Sequence, residues 1–163
     1  MQQRHQHPRT LIAVVAFLVV LAIMGTLAAG SGWDDWYRTI EKPGWLVPLW
    51  VFFIVAPVYY AIGGFILYRL LTRTDDASRR TRLALVVLTV LVLAANEAWN
   101  VLFLARESVT GGFFGLVLFA TLVIALWIGL WKTGRRIEAS VLLPYVLWVG
   151  YDLTWAFALW RMN

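Results

Sequence analysis

Five long apolar runs, separated by short polar connections, restrict what this chain can become more than any other feature. They extend from Leu11 to Ala29, from about Val47 to Leu71, from Leu83 to Ala105, from Gly112 to Trp131 and from Ala139 to Trp160. Spanning roughly 30 Å of hydrocarbon at 1.5 Å per residue takes about 20 apolar residues, so each run suits one helical crossing. A chain of 163 residues that is 61% hydrophobic and 14% charged cannot hide that surface inside one water-soluble core. The pattern predicts an all-α membrane protein: a five-transmembrane-helix bundle forming a single domain over residues 1–163. Only the connection at 30–46 is long enough for structure of its own.

The run at Leu11 follows a short basic head, which invites a signal-peptide reading. At roughly 19 residues it exceeds the apolar core of such a peptide, and it reads as the first helix. If the even connections share a side with the N-terminus, that side holds ten basic residues, including Arg4, Arg9, Arg69 and Arg73, while Arg38, Lys42, Arg106 and Arg161 hold the other. The positive-inside rule then puts the N-terminus in the cytoplasm and the C-terminus outside, with the 30–46 connection facing outward. Dispersed between apolar runs in this way, the net charge of +5 is a topology signal rather than a groove for nucleic acid. The absence of cysteine removes disulfides, thiolate metal sites and cysteine catalysis. His5 and His7 read as part of a solvated tail, and no P-loop, dinucleotide glycine pattern or nucleophile elbow is present.

The candidate functional residues are aromatic and acidic. Of the ten tryptophans, Trp33, Trp36, Trp45 and Trp50 gather in or beside the first connection, whereas Trp127, Trp131 and Trp160 read as an aromatic belt. Trp99, Trp148 and Trp155 lie deeper, where an indole needs a partner for its N–H and offers a flat face to a planar ligand. Asn96, Glu97 and Trp99 fall on the third helix. Tyr145, Trp148, Asp152 and Trp155 follow i, i+3, i+7, i+10 spacing on the fifth, which sets all four on one face. A carboxylate in hydrocarbon is costly, so these faces should turn into the bundle. Glu97 and Asp152 each lie eight residues from the outer end of their helix, about 12 Å in, with no basic residue beside them. They read equally as ligand or proton sites and as structural carboxyls bonded to Asn96, Asn100 or Tyr145. Gly111 and Gly115 form a small-xxx-small step suited to helix packing.

The first connection reads Trp36-Tyr37-Arg38-Thr39-Ile40-Glu41-Lys42-Pro43-Gly44-Trp45-Leu46-Val47-Pro48. This resembles the WYxxLxKPxWxPP signature of the TspO/MBR family, which groups the tryptophan-rich sensory proteins with the mitochondrial translocator protein. Asn96 and Trp99 resemble its NxxW, Pro144, Tyr145 and Trp148 its PYxxW, and the closing Trp160-Arg161-Met162-Asn163 its terminal WRLN. The resemblance implies a five-helix bundle, often a homodimer, embedded in membrane lipid. It also implies a pocket beneath the first connection for porphyrin or haem, or for a sterol-like small molecule, with no cofactor required. Carried over by position, the pocket residues are Trp45, Pro48, Asn96, Trp99, Tyr145 and Trp148, while Lys42 and Pro43 look structural. Four departures stand out: Ala56 where the family commonly has Trp, Val92 where a polar residue is usual, Asp152 where a small one is common, and Trp155-Ala156 in place of Leu-Asn. They imply a rebuilt pocket, and Ala56, Glu97 and Asp152 join the candidate ligand-binding set. A receptor is the leading expectation, ahead of porphyrin breakdown and of proton-linked transport; no catalytic or metal residue is assigned.

Overall fold

A computed structural model describes residues 6–73 and 78–163. Arg4 and His5 lie outside the described residues, as does part of the second connection. Helix α1 (Gln6–Ala29) leads to a short helix α2 (Trp33–Thr39), followed by α3 (Leu49–Thr72) and α4 (Arg79–Asn100). The chain then runs through a π-helical turn (Val101–Ala105) into α5 (Val109–Lys132) and α6 (Arg136–Met162). Five of these segments are long and apolar enough to cross a membrane, as the sequence predicts. Two features were not anticipated: the helix α2 within the first connection, and the π turn that ends the third span.

Local sequence explains the boundaries. Pro8 sits in the first turn of α1, where a missing N–H costs no helical bond. Gly30 and Gly32 have φ of 74° and 96°, a left-handed conformation that side chains resist, and they fold the chain from α1 into α2. Ser78 and Ser108 cap α4 and α5 by accepting from the backbone N–H groups of Thr81 (3.1 Å) and Gly111 (3.0 Å). In the π turn, Arg106 N bonds Val101 O (3.0 Å) and Ser108 N bonds Phe103 O (3.2 Å), each one residue wider than an α bond.

The five spans form a ring in the order α1, α3, α6, α5, α4, with α3 also touching α4 across the centre. Apolar side chains such as Val19, Ile23 and Leu27 remain exposed along α1, as suits a surface solvated by lipid. Because lipid is as apolar as leucine, association rests on close packing and interhelical hydrogen bonds rather than on escape from water. Ile66, Leu70, Leu93, Leu126 and Leu130 are fully buried and fill the half of the bundle away from α2. There Arg69 Nε pairs with Glu138 Oε1 at 2.7 Å, the carboxylate side chain being only 3% exposed. Trp127, expected in the belt, donates to Ala139 O (3.1 Å) and ties α5 to α6, while Trp131 is exposed beneath the guanidinium of Arg136. Trp160 stacks on Phe113 at 5.1 Å. The Gly111–Gly115 step packs inside the chain, against Leu102, with Trp99 also beside Gly115.

Candidate ligand cavity beneath the loop helix

At the α2 end the ring does not close on itself, and a cavity of about 380 Å³ remains. That volume falls within the range of small-molecule pockets, roughly 300–1,000 Å³. Helix α1 contributes Ala22, Gly25, Thr26 and Ala29, and α2 contributes Trp33 and Tyr37. From α3 come Phe52, Ala56, Tyr59 and Tyr60, and from α6 come Tyr145, Trp148, Asp152 and Trp155. The end of α4 and the π turn supply Asn96, Glu97, Trp99, Asn100 and Phe103.

Aromatic rings build much of the wall, and several brace one another. Trp99 stacks on Phe103 at 5.2 Å, and Trp155 meets Phe103 edge-on at 5.6 Å. Phe52 packs on both Trp148 (5.6 Å) and Trp155 (5.3 Å), joining α3 to α6. Trp36 and Tyr37 of α2 also set their rings against Phe103, at 5.3 and 6.3 Å. The π turn therefore supplies the ring on which the loop helix docks. The Trp99 N–H is not free for a ligand, because it donates to Gly112 O at 2.8 Å and fastens α4 to α5. At the cavity's inner end, Tyr59 donates to Val92 O (3.0 Å) and packs on Tyr145 (4.8 Å), so one ring links α3, α4 and α6.

The two carboxyls face this cavity in different states. Glu97 accepts from Tyr60 Oη and Asn96 Nδ2 (3.0 Å) on Oε1, and from Asn100 Nδ2 (3.2 Å) on Oε2. A Cβ on Gly25 would stand 1.5 Å from Oε2, so α1 must offer bare backbone where the carboxyl rests. Asp152 is 9% exposed; Trp148 is its polar neighbour, yet Oδ1 is buried without a hydrogen-bond partner. The buried Trp155 Nε1, beside the Tyr37 hydroxyl, also has no hydrogen-bond partner. Such buried groups cost free energy while they stay unpaired.

The cover is tied down at its edges. Asn163 brackets Glu41, accepting from its N–H (2.9 Å) and donating to its carbonyl (3.1 Å). Val47 N–H donates to Tyr151 Oη at 2.9 Å. Lys42 donates to Ile40 O (2.8 Å) and lies 4.6 Å over the Tyr37 ring, and desolvation lowers its pKa. Burial pushes the Tyr37 hydroxyl up to about 12.

Seven sequence-derived candidates, Ala56, Asn96, Glu97, Trp99, Tyr145, Trp148 and Asp152, line the cavity. Trp45 and Pro48 do not. Trp45 is 50% exposed and braces Tyr151 edge-on at 5.9 Å, and Pro48 precedes the first turn of α3. Their short connection holds them outside the wall that α2 forms. Val92, taken above as a pocket change, is buried in the core and meets the site only through its carbonyl. Sequence reasoning missed Phe52, Tyr59, Tyr60 and Phe103; the aromatic content of α3 was a signal, but its register was not readable through a uniformly apolar helix.

The architecture agrees with comparisons to known proteins. Residues 13–161 match the TspO/MBR family. Protein CrtK of Rhodobacter capsulatus is 28% identical over 156 residues, covering 94% of this chain and 93% of that protein. The translocator protein of Sus scrofa is 27% identical over 158 residues, covering 93% and 90%. The tryptophan-rich protein TspO of Archaeoglobus fulgidus is 25% identical over 152 residues, covering 92% and 95%. With a match that runs from within the first span through to the last turn of the fifth and a signature-bearing loop over an aromatic cavity, the chain is a multi-pass integral membrane protein belonging to the TspO/MBR family.

Proposed function

We propose that this protein is a membrane receptor that takes a flat amphipathic molecule into the cavity beneath α2, a tetrapyrrole such as porphyrin or haem first and a sterol-like lipid second. The observation that carries this reading is the wall of braced aromatic rings, Phe52, Trp99, Phe103, Trp148 and Trp155, around a cavity with few polar groups. Ring faces supply contact area and quadrupole interactions to a planar guest, and sparse polar groups orient it. Since Trp33 and Tyr37 belong to the wall, a guest touching them changes how α2 sits, and the loop can report or seal occupancy. The excess of basic residues at the opposite end supports a mouth directed away from the cytoplasm. Binding is preferred over porphyrin breakdown because Ala56 leaves space where the resemblance would supply another indole. A homodimer belongs to the same reading, with its pairing face elsewhere than the Gly111–Gly115 step that Leu102 fills.

Titration of the detergent-solubilised protein with protoporphyrin or haem should quench tryptophan fluorescence saturably, and Trp148→Phe should weaken the midpoint several-fold. Linear, non-saturating quenching that is the same in both proteins would overturn the reading.

A further inference from the structure

We propose that the acidic side of the cavity favours a cationic nitrogen, so that among guests of one ring shape the cation binds more tightly than the neutral or anionic form. This rests on the reading of the cavity as a ligand site and specifies the charge of the group that enters it. Carboxyls from two helices, Glu97 on α4 and Asp152 on α6, line the same space, and among the described residues no Lys, Arg or His belongs to its wall. Tyr145 lies within electrostatic reach of both. The buried ion pair of the bundle, Arg69 with Glu138, is in the other half and already complete.

The partners of Glu97 are all neutral donors, which fix its orientation and bring no positive charge to it. Asp152 goes further, since its Oδ1 is buried and lacks any hydrogen-bond donor. A cationic N–H supplies what that oxygen lacks, and the aromatic rings that line the same cavity, Trp148 and Phe52 among them, can attract the same charge through their quadrupoles. A carboxylate guest would add a third acid in a water-poor space, so an acid-bearing tetrapyrrole would keep its carboxylate edge at the mouth. Two carboxyls and aromatic faces suit an organic cation better than a metal ion, which needs a fuller shell of hard oxygen ligands, and no group of three metal-binding side chains occurs among the described residues.

Three probes of one ring shape test the inference: 9-aminoacridine, a cation at neutral pH, acridine, which is neutral, and acridine-9-carboxylate. Each is titrated into the full chain in zwitterionic nanodiscs while tryptophan fluorescence is followed. Affinity should fall from cation to neutral ring to anion, with about tenfold or more between the first two. Asp152→Asn and Glu97→Gln should each shrink that ratio, whereas Glu107→Gln on the exposed surface should leave it intact; thermal melts establish that the variants are folded. Equal affinity for 9-aminoacridine and acridine, or a ratio unchanged in both folded acid variants, would overturn the charge preference. If protoporphyrin and acridine still saturate in that case, the receptor reading survives alone. If no probe saturates, both fall.

Discussion

At the residue scale, the contact between Gly25 and Glu97 shows how one missing side chain sets a polar group in place. Gly25→Ala must drive the carboxyl away from α1 and strain its bonds to Tyr60, Asn96 and Asn100. Only the Tyr60 bond crosses between helices, and with such a bond worth about 0.6 kcal/mol on average and about 1.7 at most, the loss should be about 0.6–1.7 kcal/mol. In a Glu97→Ala background the same substitution should cost little, and a double-mutant cycle of unfolding in detergent reads the coupling. Tyr59→Phe should cost about 0.6–1.7 kcal/mol by removing the bond to Val92 O while keeping the ring. The acids and deep indoles were legible because polar groups in an apolar run are expensive and must face inward. Tyr59 and Tyr60 were not, since one of two adjacent tyrosines being central and the other bonding Glu97 depends on how α3 is rotated.

At the scale of elements, α2 and the segment after it act as a cover held by a few bonds. Asn163→Ala removes both side-chain bonds to Glu41, so amide exchange through residues 33–48 should accelerate while that of α5 stays slow. Tyr37 gives the cover an alkaline limit. Burial raises its pKa from 10.0 to about 12, so the folded cover holds the proton more tightly than the unfolded chain does. Its contribution is complete below pH 10 and is lost as the pH rises towards 12. Tyr37→Phe should flatten that part of a stability profile followed by exchange or fluorescence. Neither α2 nor the π turn was readable in advance. The sequence Trp33-Asp34-Asp35-Trp36 carries no strong helical period, and Val101–Ala105 is indistinguishable in composition from the helix it ends.

For the whole molecule, dense packing and the cavity occupy opposite halves of one bundle. The half away from α2 is dense and holds the Arg69–Glu138 pair; the α2 half keeps a cavity and buried polar atoms without partners. Breaking the pair by Arg69→Met leaves a buried carboxylate and should cost about 3–5 kcal/mol, while adding Glu138→Gln should recover much of it. Unfolding titrations of the parent chain and the two variants measure this, and ligand titrations on the folded fraction should change little, because the pair lies outside the cavity wall.

The sequence by itself determined the number of spans, their approximate limits and the turning of Glu97, Asp152 and the deep tryptophans towards the interior. Those outcomes follow from the cost of polar groups in hydrocarbon and from helical periodicity, both local properties. Only the tertiary structure decided that Trp45 and Pro48 stand outside the cavity, that Phe103 becomes the seat of α2, and that both oxygens of Glu97 accept hydrogen bonds while Asp152 keeps an oxygen unpaired. Each depends on the rotation and approach of helices distant in sequence, and in a uniformly apolar chain no single segment encodes those by its own pattern.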